Sequence, residues 1–450
     1  MDLGGTWRAT DADDALRRVL PDPELDDAAW AEVEVPGHWR SAPAFADSDG
    51  PLLYRRRFES RAAASEQTRD WLRLDGLFYQ GDIWLDGSYL GDTEGYFFPH
   101  TFEVTSALRE RTEHLLAVEL TCSPPTDRGA KRNLTGVFQH WDCFDRDWNP
   151  GGIWRPVRLE TTGPVRIARL RLLCVEATPE RATLELRAEL DAVKATACTL
   201  HTTLTPADEA TWYGNPVAER HADHPLAAGA NQVRWRLDVE RPDLWWPHAL
   251  GDQPLYDVRV EASIEHAVTD QRTLRTGLRR VRMKDFIATI NGERLFLKGA
   301  NQGPTRRALG ESTPDELERD VVLAEQAGLD LLRLHGHVNR PELYAAADHH
   351  GMLLWQDLPL QWGYRGVRRQ AVRQSAEAVD LLGHHPSVAV WCGHNEPFAI
   401  DVDPDIYAGD RVAEGGVAWR TAARLAASQV FPTWNKTALD GSIRRALQKA

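Results

Sequence analysis

The chain has 450 residues, 42 % of them apolar and 17 of them Trp, with a formal net charge of −14. That length predicts about three domains at roughly 150 residues each, and that apolar content excludes a disordered chain. The acidic balance argues against nucleic acid and against an anionic membrane surface, but not against a neutral sugar.

The N-terminus, MDLGGTWRAT, has no apolar signal region, and no apolar run approaches the roughly 20 residues of a membrane span. A cytoplasmic protein is expected. Residues 1–163 read as all-β. Tyr54–Phe58, Trp71–Asp75, Asp82–Asp86 and Leu115–Leu120 are short aromatic and β-branched runs between turn signals. Asp86-Gly87 marks a hairpin between Leu85 and Tyr89. Many short strands at close spacing imply a sandwich or jelly roll. Residues 164–283 again alternate with period two, most clearly at Thr183–Leu190 and Gln232–Val239, and suggest an immunoglobulin-like sandwich without the Cys-Trp-Cys pattern of a true immunoglobulin domain. Most of the Trp residues are expected in these sandwich cores, a few as sugar-stacking surfaces.

The pattern changes over 284–450. Arg294–Lys298 is expected as a first apolar strand. Thr313-Pro314-Asp315-Glu316 is a capping box that opens a helix ending before Gly328. Strands at 329–334, 352–356 and 388–392 alternate with helices at 341–350 and 366–382, and a last helix is expected over 437–449. Strands alternating with capped helices mean βαβ units and a parallel sheet. Four such units are counted, whereas a closed (β/α)8 barrel needs eight. The third region is therefore expected to be a partial TIM barrel with open sheet edges, prone to aggregate.

Polar residues just past barrel strand tips form active sites. The expected tips carry Lys298, Asn301 and Gln302, then Arg333, His335 and His337, then Asp357, then Asn395 and Glu396. His335 and His337 read as substrate contacts or structural hydrogen-bonding groups. A metal role lacks a third ligand at suitable spacing, so neither metal nor cofactor is expected. The five scattered Cys residues, without a CxxC pair, add no zinc or disulfide signature.

Taken together these motifs resemble glycoside hydrolase family 2, the group of β-galactosidases, β-glucuronidases and β-mannosidases. The resemblance rests on Trp84-Leu85-Asp86-Gly87 and Glu94-Gly95-Tyr96-Phe97, then Gly152-Ile153-Trp154-Arg155-Pro156-Val157, Leu244-Trp245-Trp246-Pro247, and Asn291 to Asn301. It implies a sugar-binding-like jelly roll, an immunoglobulin-like sandwich, the first half of a TIM barrel, and a retaining β-glycosidase that hydrolyses terminal β-linked sugars. Glu396 matches the family's general acid/base, and Asn395 the neighbour that holds the sugar's 2-hydroxyl. The acid must reach the leaving oxygen protonated, which takes an apolar wall or a second carboxylate; Trp391 and Trp355 are the walls at hand. Asp357, His335, His337 and Arg333 are expected as substrate-binding from their places at the strand tips, although the strand with His335 and His337 departs from the Trp- and Gly-rich β-mannosidase version. In His140-Trp141-Asp142, Asp142 faintly matches the β-mannosidase segment that reaches into the site, although a structural role suits it better.

A retaining enzyme needs a nucleophilic carboxylate about 5 Å from the acid. Only 54 residues follow Glu396, and Asp401, Asp403, Asp405, Asp410, Glu414 and Asp440 do not follow apolar strands. The expectation is a chain cut after the fourth βα unit and lacking its nucleophile, so a poor hydrolase alone. The alternatives are a non-catalytic carbohydrate-binding or scaffolding remnant, or half of a split enzyme with a complementing chain. A homo-oligomer is left open, as is the sugar.

Overall fold

The computed structural model describes residues 1–60, 67–127, 129–140, 143–145, 147–207, 216–361, 366–396 and 438–450. Among these residues, the first region forms two facing antiparallel sheets. One has six strands, in the order Ala31–Val35, Gly5–Asp11, Leu52–Glu59, Glu113–Thr121, Gln80–Leu85 and Ser88–Glu94. The other sets Arg69–Leu74 between His100–Glu103 and Val157–Thr162. Asp86 and Gly87 hold φ of 50° and 84°, the paired positive φ values of a tight hairpin turn, as the sequence predicts.

The second region packs a three-stranded sheet, Val165–Ala177, Arg181–Ala192 and Gly229–Glu240, against a four-stranded one. The latter runs Ala218–Leu226, Thr196–Pro206, Tyr256–Ile264, Ala267–Thr276. Leu184, Leu186, Leu200, Trp235 and Val258 meet in a separate core between them. Alternation along each strand puts polar side chains on the outer faces.

Gly299–Gln302, Leu331–Leu334, Leu353–Asp357 and Val388–Cys392 form a parallel four-stranded sheet, in that order. Helices Pro314–Gln326, Pro341–His350 and Arg368–Leu382 follow the first three strands, and Ala438–Lys449 is the last helix. Thr313 and Glu316 make both hydrogen bonds of the capping box, and Gly328 takes φ of +73° just past the helix. Among the described residues no helix is long and apolar enough to cross a membrane.

The first parallel strand is displaced from its expected place. Asn291 and Gly292, at φ of 51° and 96°, fold Glu293–Leu295 back on Ile287–Ile290 in a small antiparallel sheet. The parallel strand then starts at Gly299. The error has a physical source: Arg294 to Lys298 is apolar enough to read as a buried strand, but the turn at Asn291-Gly292 claims its first half. Phe296 is left 84 % exposed and Phe286 100 % exposed.

The parts are tightly joined. Leu332, Leu354, Ala371 and Val388 share one core with Phe78, Tyr96 and Trp154 of the first region. His38 bridges the same parts, its Nδ1 2.7 Å from Pro150 O while Gly310 N donates to its Nε2 at 3.0 Å. The second region is pinned to the parallel sheet through Arg279, which donates to Pro386 O and Val388 O, and through Trp245 Nε1, which donates to Asp348 O at 2.8 Å.

Candidate active site

Parallel strands bring their C-terminal ends to one edge of the sheet, and register places Asn301 beside Arg333, Arg333 beside Trp355, and Asp357 beside Cys392. Leu332 and Leu334 turn into the main core, so Arg333 between them projects from the opposite face.

Asp357 is the hub. It is 0 % exposed and takes two hydrogen bonds from Arg333, Nε to Oδ1 at 3.1 Å and Nη2 to Oδ2 at 2.8 Å. Gly336 N donates to the same Oδ2 at 3.2 Å, and His335 Nδ1 lies 3.5 Å from it. Burial alone would push the Asp357 carboxyl up; hydrogen bonds from His335 and Arg333 outweigh it and hold the group below its usual range. Burial likewise works against the Arg333 guanidinium, and Asp357 more than compensates. The guanidinium also lies over the Trp355 ring, 5.4 Å from its centroid.

Arg333 reaches further. Its Nη2 donates to Asn395 Oδ1 at 2.6 Å, while Asn395 Nδ2 donates to Gln361 Oε1 at 2.6 Å. Asn395 N donates to Leu360 O at 2.9 Å, so backbone and amide are both fixed. A primary amide has two donors and two acceptor lone pairs, so Asn395 keeps one of each for a ligand. Glu396 follows at the rim, exposed, with φ of +42°. That left-handed conformation costs a non-glycine residue on the order of 1 kcal/mol, and such strain clusters at functional positions.

His337 stands behind this edge. It is fully buried, its Nδ1 3.0 Å from His335 O and its Nε2 3.1 Å from Asn339 Nδ2. Burial depresses its pKa to about 4, so the ring is neutral near pH 7. Gln356 ties the same loop down by donating to His337 O at 2.7 Å and accepting from Tyr344 Oη at 2.6 Å. The first region closes on it: Val137 N donates to Gly336 O at 3.2 Å, and Tyr96 Oη accepts from Val338 N at 2.7 Å.

The structure thus joins Arg333, His335, Asp357 and Asn395 in one network, with Glu396 adjoining and His337 supporting it from below. Three expectations are redirected. Lys298 lies at the opposite end of the sheet, 3.4 Å from Asp330, because the first strand begins after it. Trp391 packs into the main core, so of these two walls Trp355 stands beside the network. Gln302 donates to Asp320 at 2.9 Å instead of facing the network. Asp142 lies outside the described residues, as do Asp401, Asp403, Asp405, Asp410 and Glu414; nothing is described of the Asp440 side chain. Sequence reasoning missed Gln361, Gln356 and Asn339. Gln356 ends the strand expected at 352–356, next to Asp357; Gln361 carries no local signal, since only the fold of Leu358–Gln361 against the fourth strand brings it to Asn395.

Residues 47–154 match the glycosyl hydrolase 2 galactose-binding domain-like family and residues 166–279 match glycosyl hydrolases family 2, in the order and at the places of the two β regions. Both β regions therefore match models of glycoside hydrolase family 2. It is 26 % identical over 369 residues to a β-mannosidase B of Emericella nidulans, covering 73 % of this chain and 42 % of that protein. It is 24 % identical over 454 residues to the β-mannosidase of Rattus norvegicus, covering 88 % and 49 %. The chain therefore spans about half the length of the curated relatives it matches. Among solved structures it is similar to a β-D-mannosidase from Dictyoglomus thermophilum (TM-score 0.73, 20 % identity, 87 % of this chain and 52 % of that one). A Bacteroides uniformis β-glucuronidase gives a TM-score of 0.76 at 20 % identity, covering 100 % of this chain and 51 % of that one. These two show the shared fold.

Proposed function

We propose that the chain carries the acid/base half of a retaining β-glycosidase for terminal β-linked sugars, with β-mannosides as the substrate class. In this reading residues 1–163 are a jelly roll, 164–283 an immunoglobulin-like sandwich, and 284–450 the first half of a (β/α)8 barrel. The observation that carries it is the fixing of the Asn395-Glu396 pair at the tip of the fourth parallel strand by Arg333, Asp357 and Gln361. Such an arrangement presents a hydroxyl-binding amide beside an accessible carboxyl at the sheet edge where barrel sites are built. The curated mannosidase relatives favour mannose over other sugars.

Glu396 protonates the leaving oxygen and later activates water. Asn395 holds a sugar hydroxyl with its remaining donor and acceptor. Asp357 and Arg333 keep Asn395 in place, and His337 supports their loop. In this reading none of the residues joined at this sheet edge supplies the nucleophile.

The test is nitrophenyl β-mannoside with the 450-residue chain, together with titration by a mannose-configured inhibitor. The expectation is turnover no faster than background, with inhibitor binding that weakens about tenfold in Asn395→Ala, the loss of about one hydrogen-bonded contact. Robust turnover through a glycosyl-enzyme would refute the missing nucleophile. Unchanged binding in the variant would move the sugar site to the β regions and favour a carbohydrate-binding module.

A further inference from the structure

We infer that the outer face of the four-stranded sheet in the second region is a binding site for a divalent transition metal ion of the zinc class, held by His201, His221 and Glu219. The inference is independent of the glycosidase reading. Register sets His201 of Thr196–Pro206 directly between His221 of Ala218–Leu226 and Glu261 of Tyr256–Ile264. Glu219 stands two residues from His221, hence on the same face. The opposite face of these strands fills the core with Leu200, Leu204 and Val258, so all four side chains are turned outward.

The ligand atoms of His201, Glu219 and His221 all lie within 4.8 Å of one another. On tetrahedral zinc, with bonds of about 2.1 Å, neighbouring ligands are about 3.4 Å apart, so small side-chain rotations close the set. His201 Nε2 is already 3.5 Å from Glu219 Oε2. It is shielded from solvent and makes no hydrogen bond among the described residues. A shielded imidazole nitrogen without a hydrogen bond is a cost unless something occupies it.

The other side of the ring completes the logic. His201 Nδ1 lies 3.6 Å from Glu261 Oε2, and Arg259, which also donates to Gln271 Oε1, steadies that carboxylate. A carboxylate facing Nδ1 favours the tautomer protonated there and leaves the Nε2 lone pair for the metal. The His201 and His221 rings are stacked, with centroids 4.0 Å apart and planes 6° apart. Ligation requires them to splay until both lone pairs converge. Two imidazoles and one carboxylate suit zinc, cobalt or nickel better than calcium or magnesium, and leave a fourth position for water.

The test titrates the metal-stripped 450-residue chain with Co2+, then Zn2+, near neutral pH. The expected result is one Co2+ per chain with the visible absorption of tetrahedral cobalt, displaced by one Zn2+. His201→Gln and His221→Gln should each weaken binding about 100-fold, and Glu261→Gln about tenfold, with circular dichroism unchanged. Proton NMR of the wild-type cobalt form gives a readout without substitution: paramagnetically shifted imidazole signals from two histidines are expected. Absence of stoichiometric binding, or equal affinity in the His201→Gln/His221→Gln double variant, would overturn the site.

Discussion

Replacing Asp357 by Asn tests whether the strand-tip network holds the parallel sheet edge together. The substitution keeps shape and removes charge. Asn can accept from Arg333 through one oxygen, but its NH2 then faces Arg333 Nη2 and Gly336 N, both donors to Asp357 Oδ2 in the wild type. The carboxylate is 0 % exposed and the Arg333 side chain 24 %, so solvent screens the loss only in part. Breaking a buried pair costs about 3–5 kcal/mol; with the partial exposure of Arg333, about 2–4 kcal/mol is expected. Hydrogen exchange resolved by peptide reads this locally. Amides of Leu331–Leu334 and Leu353–Asp357 should exchange about 30- to 700-fold faster, while those of Arg181–Ala192 stay unchanged. The pH dependence follows from the sign of the shift. The folded pKa of Asp357 is depressed, so its stabilisation is present above the unfolded value of about 3.9 and is lost as pH falls through the folded value. The gap between wild type and variant should therefore narrow below about pH 4. Exchange in these strands within about twofold of wild type at pH 7 would refute the network as their brace.

Two further outcomes follow. A methyl on Gly136 would fall 1.8 Å from Gly336 O at a φ of +58°, whereas Gly229, at φ +85°, has nothing within 4 Å; Gly136→Ala should lower the melting temperature several degrees further than Gly229→Ala, whose backbone cost is about 1 kcal/mol, and equal shifts would refute the close approach of the two loops. Burial holds His38, His100 and His337 to about 4, below the unfolded value of about 6.5, so their contribution is complete above that pH and lost as pH falls towards 4; the urea midpoint should fall across this window and fall less in His337→Gln, and identical profiles would contradict a buried neutral His337.

Much of the architecture was legible because it is written in local chemistry. Period-two alternation marked the strands of both β regions, Asp86-Gly87 gave the hairpin, and Thr313 with Glu316 gave a helix start. The apolar runs ending in Arg333, Asp357 and Asn395 identified residues that do converge, because parallel strands of one sheet must present their C-terminal ends on the same side. Sequence also placed Arg294 and Leu295 in the wrong sheet, since apolar content alone does not say which partner a strand pairs with.

What the sequence by itself determined, then, is the kind of element at each position and the strand tips that carry polar groups, since both follow from neighbours a few residues away. Only the tertiary structure decided the contacts that chemistry depends on. Gln361 meets Asn395 across 34 residues of chain, Val137 meets Gly336 across about 200, and His201 stands between His221 and Glu261 on two different strands. Such pairings are set by register and packing between elements, and those are fixed only when the apolar faces of all the layers are buried at once.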